Sequence, residues 1–185
     1  MPRNTKERLA SALRQIAAVK SLDRITVKEI AERSGLTIAT FYNHFRDKYD
    51  LAAWVSTNRN RAVLEEAAAQ GLGLYELWLS NLQYARENRE YLINALENSH
   101  GKNSFALKCT ENAISTAEPL LCQANDWTST PQPVLQAMRL YSYGSILLVY
   151  NWMVSDCREP EPELARLLTD SLPGNLAPLL SKNRG

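Results

Sequence analysis

The residues best suited to chemistry lie between positions 37 and 48. Tyr42 offers a hydroxyl on a rigid ring. Lys48 is a point charge at what reads as a helix start, where free backbone N–H groups and the helix dipole already favour phosphate. Asn43 carries a donor and an acceptor that match the major-groove edge of adenine, and Ile38 and Ala39 can touch a thymine methyl. This is the chemistry of recognition, not of bond breaking. There are two histidines, His44 and His100, and no GxSxG, HExxH or glycine-rich phosphate loop. No catalytic residue, metal site or cofactor is expected, and the chain reads as a non-enzyme.

Charge agrees with a phosphate partner. The net charge of +1 is uninformative, but residues 1–55 hold ten Lys/Arg against six Asp/Glu, a balance of +4, while the rest carries 11 basic and 14 acidic residues, a balance of −3. A basic head on a mildly acidic body suits a nucleic-acid-binding module. The three cysteines, Cys109, Cys122 and Cys157, are odd in number and show no CxxC spacing. Reduced thiols and a cytoplasmic location are expected. The start, MPRNTKERLA, has no apolar h-region, so no signal peptide is expected. The most apolar stretch, Tyr141 to Val154, is too short to span a bilayer, so no membrane partner is expected.

The elements that must position these residues are helical almost throughout, and the predicted fold class is all-α. A first helix spans about 5–20, with Leu9, Leu13, Ile16 and Ala17 on one face. Thr26 to Glu29 forms a capping box that starts a second helix at Val27. Gly35 supplies the left-handed end of that helix. Thr37 caps a third, short helix running to about Phe45, and Asp47 a fourth from Lys48 to about Gln70. Further helices are predicted near 74–88, 90–98, 103–124, 131–155, 160–171 and 175–182. Two short helices joined by a glycine turn, behind a supporting helix, make a helix-turn-helix unit. The predicted division is a three-helix DNA-binding head over 1–50 and a helical regulatory and dimerisation domain over 51–185.

The stretch from Ile25 to Leu51 closely resembles the DNA-binding head of the tetracycline-repressor-like (TetR) family. The features that carry the resemblance are Ala31, Gly35, the Thr40-Phe41-Tyr42 triplet, His44-Phe45, Lys48 and Leu51. It implies a DNA-contacting set of Thr26, Lys28, Thr37, Ile38, Ala39, Thr40, Tyr42, Asn43, His44 and Lys48. Within that set, Tyr42, His44, Lys48 and Thr40 match phosphate-facing positions. Lys28, Thr37, Ile38, Ala39 and Asn43 match positions facing bases or nearby backbone. Phe41 and Phe45 match core positions. The residues alone leave core packing open for Tyr42 and a plain solvated surface open for His44, Lys28 and Asn43.

In the body, Val134, Met138, Tyr141, Ser145, Leu148 and Trp152 step by three and four, and Leu140, Tyr143, Leu147, Tyr150 and Val154 form a second stripe. A helix apolar on most sides must be buried on most sides, either in a bundle or against another subunit. Gly144 and Ser145 would permit close approach of a partner helix. This region also resembles the C-terminal part of a subgroup of the same family, through Tyr143-Gly144, Asn151-Trp152 and the Glu161-Pro162-Glu163-Leu164-Ala165 segment. The family implies a homodimer on a double-stranded, palindromic operator, with an interface including Tyr143, Leu147, Tyr150, Val154, Leu164 and Leu168. It also implies repression relieved by a small-molecule effector, with Trp78, Leu82, Tyr84, Phe105, Cys109 and Tyr141 as pocket candidates. Plain core is the alternative for those six, and Trp127 reads as a lid or a packed edge. Activation, control by a partner protein, a thiol switch at one of the cysteines, and a helical adaptor that never touches DNA are the competing functions.

Overall fold

The computed structural model describes residues 5–101 and 104–176. Among them there is no strand. The head begins with α1 (Thr5–Ala17), α2 (Val27–Ser34) and α3 (Ile38–Tyr42). Helix α1 buries Leu9, Ala10, Ala12 and Leu13 and stops three residues short of the predicted Lys20. The missing turn lets the chain enter a 3-10 turn, Leu22–Arg24, whose Leu22 plugs the core completely. Sequence periodicity gave no sign of this turn, because three residues are too few to show a period.

Helix α2 starts where its cap dictates. The Thr26 hydroxyl accepts from Glu29 N at 3.2 Å, and the Glu29 carboxylate accepts from Thr26 N at 2.8 Å. Lys20 and then Thr26 hold that carboxylate and push its pKa down to about 2. The helix ends at Gly35, φ +66°, a conformation that L side chains resist. A Cβ there would also lie 3.1 Å from the Arg8 guanidinium, which donates to the Ser34 and Gly35 carbonyls. So α1 helps satisfy the open end of α2.

The body comprises α4 (Lys48–Gln70), α5 (Leu74–Glu87), α6 (Arg89–Glu97), α7 (Phe105–Asn125), α8 (Gln132–Val154) and α9 (Glu161–Asp170). Asp47 caps α4 by accepting from Asp50 N at 2.7 Å, as expected. Gly71, φ +66°, follows its end. Helix α4 is unbroken from the head into the body, where it packs on α7 and α5; α9 lies on α5, and α8 on α7. Pro119 interrupts the hydrogen bonding of α7 from its exposed side. One core runs from Leu13, Phe41 and Leu51 in the head through Leu82 and Ala95 to Trp152 and Leu168. Trp127 is a packed edge, lying with Leu121 and Leu176 in a smaller cluster. The predicted last helix, 175–182, falls outside the described residues from position 177 onward.

Side-chain contacts also fasten the head to the body. Asn94 of α6 accepts from Asp23 N at 2.7 Å and donates to the Asp23 carboxylate at 3.0 Å. Asn58 of α4 donates to Glu7 of α1 at 2.9 Å.

Candidate nucleic-acid interface and body cavity

Helix α3 has five residues, too short to persist without packing. It is held from three directions. Thr37 caps it, accepting from Thr40 N at 3.0 Å, and the two threonine hydroxyls pair at 2.8 Å. Phe41 (fully buried) and Phe45 anchor its inner side, their ring centroids 5.9 Å apart. Phe45 in turn meets Trp54 of α4 at 5.9 Å.

The outer side is left to solvent. Ile38, Ala39, Tyr42, Asn43 and His44 are exposed and Thr40 is half-buried. Tyr42 is 57% exposed, which rules out core packing, and its ring meets the edge of Phe41 at 5.5 Å, so the hydroxyl stands on a braced ring. Thr37 is exposed at the start of the same helix, and Lys28 and Thr26 are exposed on α2. Lys28 has only a loose pair with Glu32 at 3.9 Å, and the Thr26 hydroxyl is committed to its cap. Of the predicted set, all but Thr40 and Lys48 are exposed, and Lys48 has partners of its own.

Lys48 is half-buried, and its ammonium donates to the carbonyls of Asp23 at 2.5 Å and Ile25 at 2.8 Å. Burial lowers its pKa. The side chain ties the start of α4 to the turn before α2, a use of the charge that helix-start position alone did not reveal. Replacing Lys48 with Met is expected to cost about 1–3 kcal/mol through the two lost hydrogen bonds from a charged donor and to weaken binding to all DNA sequences alike. Denaturant melting without DNA checks this: unchanged stability alongside lost binding would make Lys48 a direct phosphate ligand instead.

In the body, a cavity of about 380 Å³ lies among α4 to α8 and the segment after α9. That is within the range of roughly 300–1,000 Å³ usual for small-molecule sites. Trp78, Tyr84, Phe105, Cys109 and Tyr141, all named from sequence, line it. Leu82 does not; it is fully buried in the core instead. The Trp78 indole donates to the Tyr141 hydroxyl at 2.8 Å, and that hydroxyl donates to the Leu168 carbonyl at 2.6 Å, joining α5, α8 and α9. Burial pushes the Cys109 thiol up to about 12, which disfavours the reactive thiolate there. Sequence reasoning missed the α4 wall, Ser56, Thr57, Asn60 and Val63. Small polar side chains on a long helix form no apolar stripe, so no pattern marked them.

Helix α8 presents two faces. Trp152 and Ser145 are buried, so Ser145 serves the protomer interior and not a helix crossing outside it. The opposite face carries Leu140 at 74% exposure, Leu147 at 59% and Val154 at 48%, with Tyr143 exposed and Tyr150 half-buried beside them. Leu148, read from sequence with the inner stripe, lies on this outer side. Leu164 and Leu168 of α9 are buried within the protomer, where α9 packs on α5, while Leu167 of that helix is exposed. The expected interface is thus corrected at two positions: α9 spends its apolar face on its own chain.

A tight two-helix turn with a short outward-facing second helix defines a helix-turn-helix protein. Residues 9–55 match the family described as bacterial regulatory proteins, tetR family. No curated protein matches the sequence. Among solved structures, FadR of Thermus thermophilus, a TetR-family transcriptional repressor in complex with lauroyl-CoA, is similar over 90% of this chain and 92% of its own, at TM-score 0.63 and 15% identity. A TetR transcriptional regulator from Rhodococcus sp. RHA1 covers 94% of this chain and 99% of its own, at TM-score 0.63 and 20% identity. The dihydroxyacetone kinase operon activator DhaS covers 95% and 96%, at TM-score 0.55 and 17% identity. At such identities these likenesses establish the shared all-helical fold. The head is thus matched to the tetR family of bacterial regulatory proteins over residues 9–55, and the chain as a whole shares the fold of the TetR regulators above.

Proposed function

We propose that the protein is a homodimeric, sequence-specific repressor that reads a palindromic operator with α3 and is released by a small-molecule effector held in the body. The observation that carries this reading is the outward set on α3: Ile38, Ala39, Tyr42 and Asn43 are exposed on a helix whose Phe41 is fully buried. A helix so presented can enter the major groove, its N-terminal residues meeting base edges. The working division is a head over 1–50 and a body over 51–185, with α4 running through the boundary. The exposed apolar face of α8 supplies the surface for a two-fold partner, and two-fold symmetry calls for an inverted repeat. The cavity supplies the effector site, and its lining of apolar and polar uncharged side chains is of the kind such sites use. Repression follows the family's habit; activation is the second reading, since the activator DhaS shares the fold.

Selection of bound sequences from a random duplex pool tests this directly. An enriched inverted repeat whose affinity falls steeply with salt is expected. No enrichment at low salt would overturn it. With the operator in hand, Tyr42→Phe is expected to weaken binding to selected and random DNA by the same factor. Asn43→Ala and Lys28→Ala are expected to change which bases are preferred, at about 1–3 kcal/mol per lost base contact. Equal losses on both kinds of DNA for all three variants would contradict that division of labour.

A further inference from the structure

The cavity is amphipathic, and its polar side is on the helix that carries the head. Among the described side chains that α4 contributes, Ser56, Thr57 and Asn60 are polar and Val63 is apolar. Helix α7, packed against α4, adds Thr110, Asn112 and Thr116. Asn112 already donates to Thr57 at 2.7 Å, so the two helices share a polar seam. Within it, the Ser56 and Thr110 hydroxyls are buried and have no hydrogen-bond partner. A buried hydroxyl left so costs about 1–3 kcal/mol, which a partner would recover. From α5, α6 and α8 come mainly large apolar groups such as Leu77, Trp78, Leu92 and Met153, with Asn81, Ser142 and Ser145 as polar members of that wall.

No formally charged residue lines the cavity among the described residues. Its titratable members stay neutral near pH 7: burial raises the pKa of Cys109, Tyr84 and Tyr141. Arg59 is not a lining residue; its guanidinium is taken up by Asn81 at 2.8 Å, the Ser80 carbonyl at 2.9 Å and the Tyr84 ring at 4.1 Å. An ionised group entering this space would lose its hydration, and Arg59, the cation bonded to the lining residue Asn81, already spends its donors on Asn81 and Ser80.

We propose that the effector is an uncharged, mainly apolar molecule whose hydroxyl or carbonyl end is bound by Ser56 and Thr110 at the α4–α7 seam. The inference rests on the cavity being the effector site, and it adds ligand class and orientation. The apolar part of the molecule fills the space against α5, α6 and α8. Its directional bonds fall on α4 and α7, so occupancy is felt by the helix leading to the head.

Calorimetric titration of the full chain with three probes of one shape tests this: naphthylmethanol, naphthoate and methylnaphthalene. The alcohol is expected to bind about tenfold more tightly than the hydrocarbon, the gain of one satisfied hydrogen bond. Naphthoate is expected to be at least a hundredfold weaker than the alcohol at about pH 7, where an ordinary carboxyl is almost wholly ionised. That gap should narrow by about tenfold per unit as the pH falls toward the carboxyl's own pKa. In Ser56→Ala/Thr110→Val the alcohol should lose its advantage while methylnaphthalene binds as before, which also shows that the variant is folded. Naphthoate binding as tightly as the alcohol at about pH 7 overturns the uncharged class and leaves the cavity reading standing. An alcohol preference that survives loss of both hydroxyls overturns their assignment. Failure of all three probes to bind, or binding undiminished in the cavity-filling variant Ala117→Trp, removes the cavity reading and this proposal with it.

Discussion

Leu140→Asp combined with Leu147→Asp is expected to yield a folded monomer that has lost about a hundred- to ten-thousandfold in operator affinity. Both side chains are mostly exposed on one face of α8, with Tyr143 and Val154 on the same stripe. Single exposed leucines are ordinary, but several apolar side chains exposed along one helix face mark an interaction surface. Carboxylates placed there cost the protomer little, since neither leucine contributes to its core. Across a two-fold axis, however, each would bring a buried charge facing a copy of itself. The loss on DNA follows from linkage: two heads joined in one dimer bind a palindrome with an advantage of about 10²–10⁴ over either alone. Sedimentation and operator titration check both halves. A dimer that persists with unchanged operator affinity would show that α8 is not the interface.

Phe41→Ala is expected to destabilise the head by about 3–5 kcal/mol, a large share of the roughly 5–15 kcal/mol available to a typical domain. Phe41 is fully buried and contacts Phe45 and Tyr42 through ring packing. It is the only buried residue of the five in α3, so the cavity it leaves has little else to collapse onto it. Operator binding should disappear before helical content does, because most helical residues belong to the body. Hydrogen exchange resolves this: amides of α2 and α3 should lose protection while those of α5 and α8 keep theirs. Phe41→Leu should retain most of the protection. Uniform protection in Phe41→Ala would mean that α3 is held by its caps and turn alone.

Local chemistry made the head readable. A capping box at Thr26, a left-handed glycine at Gly35 and caps at Thr37 and Asp47 each act within four residues, so sequence displays them directly. Residues whose partners are distant in sequence were harder to place. Lys48 reads as an exposed cation until the fold brings the carbonyls of Asp23 and Ile25 beneath it. Leu164 and Leu168 have the spacing of an interface, and only the packing of α9 on α5 shows which chain buries them. Five of the six cavity residues were found because aromatic and sulfur-bearing side chains attract notice. The α4 hydroxyls were overlooked because serine and threonine on a long helix have no periodic signature of their own.

The unbroken run of α4 from Lys48 to Gln70 sets a scale for action at a distance. Its 23 residues rise about 1.5 Å each, so the rod is about 34 Å long. Turned by about 6° at its body end, such a rod sweeps its head end through about 3.5 Å, close to the 3.4 Å that separates neighbouring base pairs along one strand. A change in the body too small to disturb its packing is therefore large enough, at the other end, to put a recognition helix out of register with the bases it reads.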